Sequence, residues 1–255
     1  MRTFLTLLFL RLLSWTSGFF YSHQLRWVGE VPEEPWAADF RLVVILNHTS
    51  LIEVILSSIV PDRFLRRLSR HGVVPVADKT INRPLMGPLF KVLAQNVVPL
   101  SRERDETWQE LLAKVDDDAM VIILPEGRMK RANGLDSHGK PLTLRGGIAD
   151  LLQAMGSGPM LICYNEGMHH IQIPEQGLPK LFKTFYCRLE RLDIAEYIAA
   201  RHAEADASAK PGPKAFRRAV VADLTRRRDR WCAPEARTPD QPVTATAEAA
   251  PSTST

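Results

Sequence analysis

Cysteine is scarce in this 255-residue chain: Cys163, Cys187 and Cys232 are an odd number at wide spacings. They form neither a disulfide framework nor a zinc ligand set, and the simplest inference is a reducing compartment. No Gly-x-Ser-x-Gly stretch occurs, which disfavours a hydrolase built on a nucleophile elbow. No internal repeat is present. A strong charge imbalance is also missing, since 33 Lys and Arg stand against 29 Asp and Glu, a formal net charge of +4. Positive charge is local instead, crowded near residues 128–131 and 214–230, and no nucleic-acid partner is expected.

Long apolar runs are rare as well. The one candidate, TFLTLLFLRLLSWTSGFF from Thr3 to Phe20, is interrupted by Arg11. A central arginine costs a spanning helix about 2.5–3.5 kcal/mol on insertion scales, whereas a helix lying in the interface keeps that charge wet. Thr3, Thr6, Arg11, Ser14 and Ser17 fall within an arc of roughly 140°, with Leu7 and Leu10 intruding. The expectation is an in-plane membrane anchor, with a spanning helix as the alternative. No small-x-small cleavage site follows the run, which argues against a signal peptide.

The remainder suits one sizeable domain, with 45% apolar and 24% charged residues. After the link VPEEPW, short apolar runs (RLVVIL, VVPVAD, NVVPL, AMVIIL, PMLICYN) alternate with helix-like stretches (SLIEVILSSIV, LMGPLFKVLAQ, ETWQELLAKV, GGIADLLQAM). This predicts an α/β fold, a largely parallel or mixed sheet flanked by helices, preceded by the N-terminal membrane-associating helix. The expected divisions are a helix at 1–22, an α/β domain at 23–203, a basic helical segment at 204–232 and a disordered tail at 233–255. The segment KAFRRAVVADLTRRRDRW sets Phe216, Val220, Val221 and Leu224 on one side among arginines. That side suits either anionic lipid or the domain itself.

Chemistry in such folds gathers beyond the carboxyl ends of strands. His48 follows RLVVIL there, and Glu53 lies five residues on, in NHTSLIE. The pair fits proton transfer, the carboxylate fixing the histidine tautomer; equally, Ser50-Leu-Ile-Glu53 is a capping box in which Glu53 only caps a helix. After AMVIIL comes PEGRMKR, where Glu126 and Gly127 turn the chain and Arg128, Lys130 and Arg131 crowd together, a grouping suited to a phosphate. Arg102 ends VVPLSR, and Arg145-Gly146-Gly147 opens another helix, whose free amides suit an anion. Glu166, His169 and His170 lack the further ligands of a metal centre, so no metal is expected.

In order and spacing across residues 42–165, these four blocks resemble the glycerolipid acyltransferases, which acylate glycerol-3-phosphate and lysophospholipids. That family's Asn-His-x-Ser-x-x-Asp compares with Asn47-His48-Thr49-Ser50-Leu51-Ile52-Glu53, and its Phe-Pro-Glu-Gly-Thr-Arg-Ser with Leu124-Pro125-Glu126-Gly127-Arg128-Met129-Lys130. Glu53 replaces the usual aspartate, and Met129 occupies the arginine position. The resemblance implies His48 as general base oriented by Glu53. It implies substrate contacts from Arg102, Glu126, Gly127, Arg128, Lys130 and Arg145, with Arg102 and either Arg128 or Lys130 on the acceptor phosphate. No cofactor is implied, the donor being acyl-CoA or acyl-carrier protein. The expected partners are membrane lipid and a lysolipid acceptor, and the expected location is the cytoplasmic face of the inner or plasma membrane. Acylation of another lipid hydroxyl, such as an aminolipid's, and an inactive acyl-chain or carrier-protein binding module are the alternatives.

Overall fold

The computed structural model describes residues 2–81, 96–101, 106–173, 177–208, 212 and 214–232. The stretch expected as the helix LMGPLFKVLAQ, the tail from 233 and Arg102 lie outside the described residues.

Among the described residues seven strands form one mixed sheet in the order β1-β7-β6-β2-β5-β3-β4. They are β1 (Tyr21–Trp27), β2 (Leu42–Leu46), β3 (Gly72–Ala77), β4 (Asn96–Leu100), β5 (Met120–Ile123), β6 (Pro159–Asn165) and β7 (Lys183–Asp193). β2 to β6 run parallel, whereas β7 pairs antiparallel to β6 and carries β1 parallel to itself. The central strands are continuous β-branched and aliphatic runs because both faces are covered. In β2, Leu42, Val44 and Leu46 enter one core with Val121, Ile123 and Ile162, while Val43 enters the other with Leu161 and Cys163.

The first core is closed by α5 (Gly147–Met155), α6 (Ile194–Asp206) and α7 (Ala215–Trp231), through Leu151, Tyr197, Phe216, Val220 and Leu224 among others. The apolar side of α7 is therefore spent inside the protein and is not available to lipid. The second core is closed by α1 (Arg2–Phe20) and α2 (Asp62–His71), through Leu10, Phe64 and Leu65. Among the described residues the other α-helices are short, α3 (Asp78–Ile81) and α4 (Glu106–Ala113). The divisions expected after residues 22 and 203 fall inside β1 and α6, so the first helix and the basic segment belong to the same folded unit as the sheet.

Helix α1 turns its apolar arc outward. Thr6, Leu10 and Ser17 are buried against the domain, and Arg11 is paired with Asp62 through Nε–Oδ1 at 2.6 Å and Nη2–Oδ2 at 2.9 Å. Phe4, Leu5, Leu8, Leu12, Trp15 and Phe19 are exposed instead, and at 100° per residue they share an arc of about 100°. The polar arc of this helix thus faces protein, where Asp62 satisfies its only central charge, and the apolar arc is left outside.

Candidate active site

Because β2 to β6 are parallel, their carboxyl ends collect on one edge of the sheet. The chain leaves β2 through Asn47, whose φ of +66° is a left-handed conformation that asparagine tolerates better than most residues. That turn aims two consecutive amides at one carboxylate: Asn47 N donates to Glu126 Oε1 at 2.9 Å and His48 N to Oε2 at 2.7 Å. The Asn47 side chain donates to Asn165 O at the end of β6, 2.9 Å away, and Lys130 N donates to His48 O at 2.7 Å. His48 is thereby held from β2, β5 and β6 together.

From there the 3-10 segment Leu51–Ser58 begins with the expected capping box. Glu53 Oε1 accepts from Thr49 N at 2.9 Å and Ser50 N at 3.2 Å. Its other oxygen, Oε2, accepts from His48 Nδ1 at 2.6 Å. The two accounts of Glu53 are not rivals, since one carboxylate with two oxygens performs both tasks. An ionised carboxylate only accepts, so the proton of neutral His48 sits on Nδ1 and Nε2 carries the lone pair. Burial lowers the His48 pKa, but the charge of Glu53, its hydrogen bond and the charge of Glu126 outweigh it, and the net shift is upward.

The ring lines a cavity of about 1170 Å³ whose walls are mainly aliphatic and aromatic, with Leu10 and Leu13 of α1, Phe64 and Leu68 of α2, and Val76 and Ile122 of the sheet among them. This exceeds the roughly 300–1,000 Å³ of ordinary small-molecule sites. Arg128, Met129, Arg131 and Arg145 also line it. Gly127 turns with φ +63°, a conformation that favours glycine, and a Cβ there would sit 3.8 Å from Arg145 Cγ.

Several expected substrate contacts land elsewhere. Glu126 is 1% exposed, with its two oxygens committed to the Asn47 and His48 amides and Arg228 Nη1 3.8 Å away. It supports the His48 loop from beneath, and does not face the cavity. Burial raises its pKa, opposed by those amide bonds and by the charges of His48 and Arg228. Lys130 also turns back, its Nζ reaching Asn47 Oδ1 at 3.5 Å, and Arg131 takes the place at the cavity wall. Arg128 does reach the cavity, but its guanidinium is paired with buried Asp136, whose pKa is lowered by the Lys140 amide first, then by Arg128 and the His138 amide. Among the described residues Arg145 makes no ion pair, and it is the exposed cation at the site. His169 Nε2 bonds Lys130 O and His170 Nε2 bonds Thr184 O, each at 2.7 Å, so both rings serve the backbone.

Sequence reasoning missed Asn165 and Arg228. Asn165 ends a parallel strand beside β2, a position that the rule of carboxyl ends marks out. Arg228 comes from a distant helix and carries no such signal.

The assembly is a strand-end histidine whose proton is placed by a buried carboxylate, at the wall of an apolar cavity. Residues 30–165, just over half the chain, match the family described as Acyltransferase, and the chain belongs to that family. Among solved structures it is similar to the 1-acyl-sn-glycerophosphate (LPA) acyltransferase PlsC from Thermotoga maritima, at 16% identity and a TM-score of 0.53 over 87% of this chain and 78% of that one. No curated protein sequence matches the chain.

Proposed function

We propose that the protein transfers a fatty acyl group from an acyl thioester, of coenzyme A or acyl-carrier protein, to the hydroxyl of a glycerol phosphate or lysophospholipid. The observation that carries this reading is the 2.6 Å Nδ1–Oε2 bond of His48 and Glu53 beside the apolar cavity. His48 Nε2 takes the proton of the acceptor hydroxyl as its oxygen attacks the thioester carbonyl. The imidazolium is held by Glu53, the tetrahedral adduct expels the thiolate, and the proton passes from His48 to the leaving sulfur. The cavity receives the acyl chain, and Arg145 with Arg128 receives phosphate. The outer face of α1 lies in the membrane interface, on the cytoplasmic side, so that lipid substrates are met there. The test is incubation of the purified chain with a labelled acyl thioester and a panel of lysolipids. Acylation of a phosphate-bearing lysolipid supports the reading, and no transfer to any lipid hydroxyl defeats it.

A second reading, transfer to another lipid hydroxyl such as an aminolipid's, is favoured by one observation. Arg128 is already neutralised by Asp136, and Met129 stands where the family carries arginine. If Arg128 still binds acceptor phosphate, Arg128→Ala lowers kcat/KM for a phosphate acceptor by about 1.5–3 kcal/mol more than for a neutral one. Equal losses on both acceptors favour the second reading.

A further inference from the structure

Beside α1, a second apolar surface stands out from the domain. Leu178 is 83% exposed and Phe182 73%, with Leu181 and Ile173 also exposed, and Leu178 is the most exposed large apolar residue among those described. Phe182 has φ +56°, a conformation unfavourable for a bulky side chain, and it is held there by its amide donating to Phe20 O at 2.8 Å. Apart from Asn47 in the His48 loop, it is the only non-glycine residue with positive φ among those described. The result is an aromatic run continuous with the outer face of α1: Trp15 and Phe19 at 6.1 Å between ring centroids, Phe19 and Phe20 at 5.0 Å, Phe20 and Phe182 at 5.8 Å.

Two exposed lysines, Lys180 and Lys183, bracket Leu181 and Phe182. Apolar tips flanked by cations match a bilayer surface bearing anionic headgroups, where apolar side chains enter the acyl boundary and ammonium groups stay among phosphates. The same stretch borders the cavity, since Ile173 and Pro179 share its wall with Leu10 and Leu13 of α1. We propose that residues 177–183 form a second membrane-inserting element, which with α1 seats the cavity wall against lipid. The inference rests on the reading that the outer face of α1 lies in the membrane, and it adds a contact which α1 alone does not supply.

The test uses the full chain and vesicles of phosphatidylcholine containing some phosphatidylglycerol. Leu178→Ser with Phe182→Ser is compared with native protein and with Phe4→Ser plus Trp15→Ser in α1, melting temperatures being read alongside. The loop pair is expected to lower the partition coefficient roughly tenfold. In a separate variant that keeps the apolar surface intact, Phe182→Trp is expected to gain emission that brominated lipid quenches beyond the native signal. If the loop pair partitions as native does while the α1 pair is released, the loop inference is overturned and the α1 reading stands. If native protein ignores the vesicles, both fall. A Phe182→Trp signal untouched by brominated lipid also overturns insertion, whatever the loop pair does.

Discussion

Two regions of this protein treat unsatisfied groups in opposite ways. Around His48, the donors of the loop meet acceptors: two amides meet Glu126, two more and an imidazole N–H meet Glu53, and an asparagine amide meets the end of β6. On the outer face of α1, six large apolar side chains are left at least half exposed. The first region is rigid by construction, because any shift strands a buried donor. The second is complete only against something apolar. A reacting group wants the first environment and a lipid-facing surface the second, and α1 joins them by lining the cavity from its inner side with Leu10 and Leu13.

The sharpest way to break the account of the first region is Glu53→Gln. Glutamine keeps an oxygen for the Thr49 and Ser50 amides, but it presents an NH₂ group to His48 Nδ1, which must then accept, so that the proton moves to Nε2 and the base is lost. The expected outcome is a fall in kcat of roughly 10²–10⁴ with little change in melting temperature, and His48→Ala falling at least as far. The two losses should not add in the double variant, since the residues act as one unit. The pH profile gives a second reading. His48 must be neutral to act, and its pKa is raised, so the acid limb of kcat/KM lies above the ordinary histidine value of about 6.5. Residual Glu53→Gln activity should show that limb moved to lower pH, because the charge that raised the pKa is gone. A limb that stays put would separate Glu53 from the titrating group.

How much of this was legible in the sequence follows the same contrast. The five parallel strands are visible as short, mainly apolar runs, because strands covered on both faces need no polar side. β1 is not: YSHQLRW is mostly polar, as an edge strand with exposed side chains allows. β7 alternates and pairs antiparallel, and periodicity in the preceding runs gives no hint of it. At the site, the positions of His48 and Arg128 after strands, of Glu53 on the turn that follows and of Arg145 ahead of a helix could be read from the order of the runs. The direction of Glu126 could not. Whether a side chain after a turn points to the cavity or beneath the loop depends on Asn47 adopting a left-handed backbone at the end of the neighbouring strand β2, which no local pattern encodes. The packing of the polar arc of α1 on the domain was hidden for a related reason, since Asp62, the partner of Arg11, lies 51 residues away.

Glu126 provides the next largest effect and measures how far the matched region depends on each partner. Glu126→Ala removes the acceptor of the Asn47 and His48 amides, and at about 1–3 kcal/mol for each group left unsatisfied the expected loss of stability is about 2–6 kcal/mol. Urea unfolding reads it. Glu126→Gln, which keeps one oxygen, should fall between Ala and native, and its kcat should drop because the His48 loop is no longer held at both amides. A Glu126→Ala protein of native stability would mean that the loop finds other partners, and the contrast between the two regions would weaken.

The smallest effect tests what fastens α1 to the domain. Arg11 and Asp62 make a two-pronged pair, but their side chains are 43% and 46% exposed, so solvent screens the attraction and its contribution is small. Asp62 is nevertheless held down to about 2, first by its hydrogen bond with Arg11 and further by Arg66. A depressed carboxylate pKa contributes stability that is present above the unfolded value near 3.9 and lost as pH falls toward 2, so the pair should matter at neutral pH and disappear in acid. Arg11→Ala is expected to lower the melting temperature only slightly at pH 7, by an amount that shrinks with added salt and vanishes in acid. The helix stays in place because burial of Leu10, Thr6 and Ser17 holds it, not the ion pair. If Arg11→Ala instead unfolds α1, seen as lost helical signal, the inward polar face depends on that one charge. The exposed apolar face would then be secured by electrostatics, contrary to the packing described above.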